Sequence, residues 1–166
     1  PFVYTKSCEL SDFTFRRTNS FIVGEKELET LDIEEDARPI TLGCWEERVG
    51  IEFSGSGIYE TSFPKYSNDI LLDLGDVRFT CEVFVNGKTL GVKVMPPYKY
   101  NIPCDILTEN NKLEIRVSNT PANQYQYSTS LDKWGRWQMS PYHERQLVFD
   151  RDNLDSGLFG PVKLCY

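Results

Sequence analysis

Within ten residues, Trp134, Arg136, Trp137, Tyr142 and His143 set flat apolar rings beside groups that make hydrogen bonds. Tyr125 and Tyr127 add two rings just upstream. This mixture suits a carbohydrate: aromatic faces cover the apolar C–H faces of a pyranose, and guanidinium, imidazole and phenol groups meet its hydroxyls. The same aromatics would equally pin a long loop onto the body of the protein or onto a neighbouring domain, because exposed aromatic clusters mark interfaces of either kind. Tyr98, in Pro96-Pro97-Tyr98-Lys99-Tyr100, is a further candidate sugar contact, since loops between strands commonly carry ligands. Its alternative is a structural role.

Catalytic chemistry is harder to assemble. Glycoside cleavage needs two carboxyl groups at a set separation, and 25 acidic residues make chance pairs inevitable. His143 is the only imidazole, and its setting in Ser140-Pro141-Tyr142-His143-Glu144-Arg145 favours a hydrogen-bonding role in a loop over that of a base. Ser54-Gly55-Ser56-Gly57 lacks the frame of a nucleophile elbow. Asp150-Arg151-Asp152-Asn153-Leu154-Asp155 is acidic enough for calcium, yet it has no central glycine and places Leu154 where a ligand should stand. No metal ligand is assigned, and no cofactor is expected.

These side chains must be held by strands. Asn86-Gly87 lies between two alternating apolar runs, the signature of a two-residue hairpin whose central residues take positive φ. A simple register sets Val85 opposite Lys88, Val83 opposite Leu90 and Cys81 opposite Val92. Cys81, Val83, Leu90 and Val92 then share one apolar face, with Glu82, Phe84, Thr89 and Gly91 on the other. Alternation at 12–17, 58–63, 70–74 and 113–117 predicts further half-buried strands. Residues 25–36 are ambiguous between strand and helix, residues 104–107 suit a single helical turn, and Asn110-Asn111 reads as a turn. Trp45 is expected to anchor the core, and Cys81 to act as a small buried hydrophobe. Short strands without a long helical period predict a single all-β domain over residues 1–166, an antiparallel β-sandwich. Residues 123–153 are too long for a plain connection, which marks them as the functional or variable part.

The stretch from Phe53 to Asn119 resembles the sugar-binding, galactose-binding-like β-sandwich (jelly-roll) domain of glycoside hydrolases of the β-galactosidase, β-glucuronidase and α-L-rhamnosidase types. The likeness is carried by Phe53-Ser54-Gly55, Tyr59-Glu60-Thr61-Ser62-Phe63, Leu72-Asp73-Leu74-Gly75, Val83-Phe84-Val85-Asn86-Gly87-Lys88, Pro97-Tyr98, Asn111 to Val117, and Ser156-Gly157-Leu158-Phe159-Gly160-Pro161-Val162. It fails between Asn123 and Asn153. In that family the domain is an accessory, with the catalytic carboxylates on a separate barrel. The resemblance therefore implies a non-catalytic domain of a larger glycoside hydrolase. Its implied partners are an oligo- or polysaccharide and the parent's catalytic domain, and its setting is extracellular or periplasmic. It also admits a structural calcium.

Composition agrees in outline. The chain has 166 residues, 40% hydrophobic and 13% aromatic, which is ample for a packed core. Its net charge of −7 argues against nucleic acid or an anionic membrane as partner, and no apolar run reaches membrane-spanning length. The five cysteines show no C-x-x-C spacing, so zinc is not expected; a Cys8–Cys165 bridge would require the termini to meet, and the odd count without dense spacing favours mostly free thiols. The chain begins at Pro1 and so reads as a fragment or processed product.

Overall fold

The computed structural model describes residues 4–23, 29–45, 48–50, 53–123 and 154–166, with backbone alone for 19–23 and 29–32. Among these the strands are β1 (Ser7–Glu9), β2 (Phe13–Val23), β3 (Glu29–Glu34), β4 (Arg38–Ile40), β5 (Ser56–Pro64), β6 (Ile70–Asp73), β7 (Asp76–Arg78), β8 (Thr80–Val85), β9 (Lys88–Lys93), β10 (Lys99–Ile102), β11 (Asn110–Ser118), β12 (Gly157–Gly160) and β13 (Lys163–Cys165). One sheet runs β1-β13-β6-β10. A seven-stranded sheet runs β3-β2-β5-β11-β8-β9, with β4 also paired to β2, and β7 with β12 forms a short ribbon. All the strand pairs are antiparallel. The expected all-β sandwich is the fold observed.

The core is built by alternation. Leu113, Ile115 and Val117 of β11 turn inward with Tyr59 and Phe63 of β5 and Cys81, Val83 and Val85 of β8. They meet Ile70, Leu72, Tyr100, Ile102 and Leu164 of the smaller sheet in one cluster. Cys81 is fully buried, and burial pushes its thiol pKa up. The ambiguous segment 25–36 contains strand β3, and the expected helical turn is a 3-10 turn at Cys104–Ile106.

Two expectations change. Asn86 and Gly87 do take positive φ (52° and 78°), and Val85 does face Lys88. A β-bulge then admits Leu90 as an extra residue, so Val83 faces Gly91 and Glu82 faces Val92. One inserted residue flips everything beyond it to the other face, which leaves Val92 58% exposed while Leu90 packs against the core. Asn110 and Asn111 begin β11 instead of forming a turn. The termini do meet, because β1 pairs with β13, but Cys8 sits opposite Leu164 and Cys165 opposite Ser7. All five cysteines are free.

At the rear of the core, Trp45 Nε1 donates to the Tyr59 hydroxyl at 2.6 Å, and Leu158 N donates to the same oxygen at 3.2 Å. Burial pushes the Tyr59 hydroxyl pKa up to about 12, outweighing these two donors, which favour the anion. The unfolded chain ionises at the ordinary value of 10.0. Stability from this group is therefore complete below pH 10 and is lost as pH rises towards about 12, by ~1.4 kcal/mol per pH unit. Tyr100 and Tyr66 are also raised by burial, which steepens the loss. Urea unfolding at pH 7, 8.5 and 11 should show nearly constant stability up to the second point and a decline beyond it.

Candidate functional site

Trp134, Arg136, Trp137, Tyr142 and His143 lie outside the described residues, as do Tyr125, Tyr127 and the proposed short strand at 146–149. The two ends of that segment are described, and they meet. Asn123 Nδ2 donates to Leu154 O at 2.9 Å, and Ser156 Oγ accepts from Asn119 Nδ2 at 3.1 Å. Asn119 also joins Phe53 O at 2.7 Å and Gly55 N at 2.8 Å. Asn119, Asn123 and Ser156 thus clamp residues 123 and 154 together beside the end of β11. Nothing in their spacing signals this, because the clamp forms only between parts of the chain that are distant in sequence.

Tyr98 is corrected. It is 5% exposed, and its hydroxyl donates to Phe79 O at 2.5 Å. A ring enclosed in the core with its hydroxyl already committed has no face left for a sugar.

The acidic stretch before β12 is described only from Leu154, which is buried. Asp155 is engaged by Arg78 Nη1 at 3.6 Å and by the Cys44 thiol at 3.8 Å. Among the described residues no group of three His, Cys, Asp or Glu side chains could hold a metal.

Two clefts flank the loop from Glu9 to Asp12, a region the spacing of residues did not mark. The larger has a volume of about 610 Å³ and opens between this loop, β4 with the two residues after it, and the turn from β12 to β13. Leu10, Ile40, Leu42 and Phe159 give it apolar walls, and Glu9, Asp12, Ser11 and Thr41 stand at its rim. The smaller, about 370 Å³, lies on the other side, with Thr14, Glu60, Ser62 and Lys112. The shared rim is pinned at three points. Leu10 N donates to Val162 O at 2.8 Å, Thr61 Oγ1 to Ser11 O at 2.9 Å, and Ser11 Oγ to Asp12 Oδ2 at 3.0 Å.

At the smaller cleft Glu60 is paired with two cations. Glu60 Oε1 lies 2.7 Å from both Arg16 Nη1 and Lys112 Nζ, and Arg16 Nε reaches Glu34 at 3.2 Å. Burial pulls the Glu60 carboxyl upward, but the Lys112 and Arg16 contacts prevail and hold it below the usual range. This arrangement ties β2, β5 and β11 together across the outer face of the large sheet.

No protein-family model matches the chain. Over 85 residues it is 36% identical to a protein of Formosa agariphila that carries a provisional β-glucuronidase name, a match covering 47% of the chain and 7% of that protein. In structure it is similar to a rhamnosidase from Novosphingobium sp. PP1Y, with TM-score 0.61 and 21% identity, over 99% of this chain and 16% of that one. It is likewise similar to a GH2 β-galacturonidase from Eisenbergiella tayi, with TM-score 0.56 and 22% identity, over 98% of this chain and 24% of that one. These likenesses show a shared β-sandwich fold. The chain spans under a third of the length of each of these proteins, so it matches a part of them and not their whole.

Proposed function

We propose that the chain is a non-catalytic carbohydrate-binding accessory domain of a longer glycoside hydrolase acting on an oligo- or polysaccharide outside the cytoplasm. The observation that carries this reading is one of coverage. Nearly the whole chain matches the fold of a part of the rhamnosidase and of the β-galacturonidase, and that part is only 16% and 24% of each. The clamp of Asn119, Asn123 and Ser156 supports the reading further, since it holds the base of the segment bearing Trp134 to His143 on a rigid element. The test is a glycan microarray on the folded chain, with and without EDTA. A defined glycan should bind saturably, and a Trp134→Ala, Trp137→Ala double variant should bind at least about tenfold more weakly, a difference of ~1.4 kcal/mol. Loss of binding in EDTA would add a structural calcium.

A second reading, a structural module that packs on the parent's catalytic domain without touching sugar, is favoured by one surface. Val92, Val94 and Met95 are 58%, 64% and 67% exposed along the edge strand β9 and the turn that follows it. An apolar strip beside a strand edge that has no partner among the described residues invites a covering partner. A blank array, together with self-association of the chain that Val94→Lys and Met95→Lys relieve, would select this reading.

A further inference from the structure

We propose that the larger cleft beside the Glu9–Asp12 loop is a sugar subsite that takes an uncharged sugar residue and turns away uronates; this rests on the carbohydrate-binding reading above. The cleft's volume of about 610 Å³ falls in the range of small-molecule sites, roughly 300–1,000 Å³. Leu42 and Phe159 are half-buried apolar walls, suited to the C–H face of a ring. Thr41 offers a hydroxyl, Ser11 an acceptor oxygen since its proton is held by Asp12, and the exposed Glu9 and Asp12 carboxylate acceptors for sugar hydroxyls. Hydrogen bonds to Val162 and Thr61 hold this rim before any ligand arrives, so little ordering is needed on binding.

The charge pattern selects among sugars. Among the described residues lining this cleft there is no lysine or arginine. Arg78, which lies over the Phe159 ring at 5.2 Å, is already paired with Asp76 at 3.3 Å and Asp155 at 3.6 Å. A uronate entering here would meet two carboxylates and no cation. The whole chain, at −7, adds to the repulsion. A neutral hexose or deoxyhexose meets hydroxyls and acceptors only. Names of several similar proteins refer to uronic acids, and the cleft's chemistry points the other way.

Saturation-transfer NMR titrations of the full chain would use the methyl glycosides of rhamnose, galactose, mannose and glucose, and those of glucuronic and galacturonic acid. At least one neutral glycoside should bind, with both uronates roughly tenfold weaker or more, as repulsion from two exposed carboxylates at close range predicts. Glu9→Gln with Asp12→Asn should narrow that gap. Thr41→Trp, a change at an exposed rim position, should fill the cleft and abolish the neutral signal while leaving the thermal unfolding curve in place. Uronates that bind as tightly as neutral glycosides would overturn the proposal. Neutral binding that survives Thr41→Trp and disappears with Trp134→Ala, Trp137→Ala would also overturn it, yet leave the carbohydrate-binding reading standing. Silence from every glycoside, joined to a blank array, would sink both.

Discussion

Trp45→Ala should lower the unfolding free energy by about 4 kcal/mol, the range of large aromatic truncations in well-packed cores. The side chain is 1% exposed. Its ring lies edge-on to Phe53 with centroids 5.3 Å apart and stands 6.1 Å from Phe15. Its indole N–H donates to Tyr59, and its backbone N donates to Ser156 O at 2.8 Å. Truncation therefore opens a cavity at the junction of β2, β5 and the start of β12, and strips one donor from a buried phenol oxygen. Single domains carry roughly 5–15 kcal/mol in total, so the variant should be partly unfolded near 40 °C. Trp45→Phe keeps most of the volume and loses only the 2.6 Å bond, for about 1–2 kcal/mol. Urea denaturation followed by circular dichroism would measure both. A Trp45→Ala loss below ~1 kcal/mol with glycan binding abolished would recast Trp45 as a ligand contact, against the whole packing argument.

Asn111→Leu should cost about 3 kcal/mol, although leucine is the natural occupant of a buried strand position. Asn111 is fully buried. Its Oδ1 accepts from Thr108 N at 2.8 Å and from Asn86 Nδ2 at 2.9 Å. Its Nδ2 donates to Thr108 O at 2.9 Å and Phe63 O at 3.3 Å. One amide thus ties Thr108 just after the 3-10 turn, the hairpin tip and strand β5 to β11. Leucine removes both functions and leaves the Thr108 amide without its acceptor, and each orphaned buried group costs about 1–3 kcal/mol. Asn111→Asp should be worse at neutral than at acid pH, because a carboxylate oxygen would then face the Thr108 and Phe63 carbonyls. Hydrogen exchange at Thr108 N, faster in Asn111→Leu but not in Asn111→Asp, whose Oδ1 still accepts from that amide, would separate this account from a general loss of packing.

Much of this architecture is legible in the order of residues. Strand alternation at 58–63, 70–74 and 113–117, the positive-φ turn at Asn86-Gly87, the burial of Trp45 and Cys81 and the 3-10 turn at Cys104 follow from types and spacings within a few residues. The candidate sugar contacts fared differently. Tyr98 alternates with Tyr100 as any inward strand residue would, yet it sits in a Pro-rich stretch that resembles a loop, and only the Phe79 carbonyl beneath its hydroxyl distinguishes the two. Trp134, Arg136, Trp137, Tyr142 and His143 fall outside the described residues, and their role rests on their chemistry.

What the order of residues determined by itself is local: which faces are apolar, where the chain reverses, and that the whole is an antiparallel sandwich. Side-chain period and backbone φ are properties of neighbours in the chain. What the tertiary structure decided depends on partners brought in from far away. The bulge at Leu90 is decided by strand β8, which skips it and turns Val92 outward. The Asn119–Asn123–Ser156 clamp unites residues separated by 37 positions at its widest. The cleft exists because the 9–12 loop, residues 39–42 and the turn at 159–161 come together only when β1, β4 and β13 have found their places. A concave surface is made of gaps between distant segments, and no period along one segment records it.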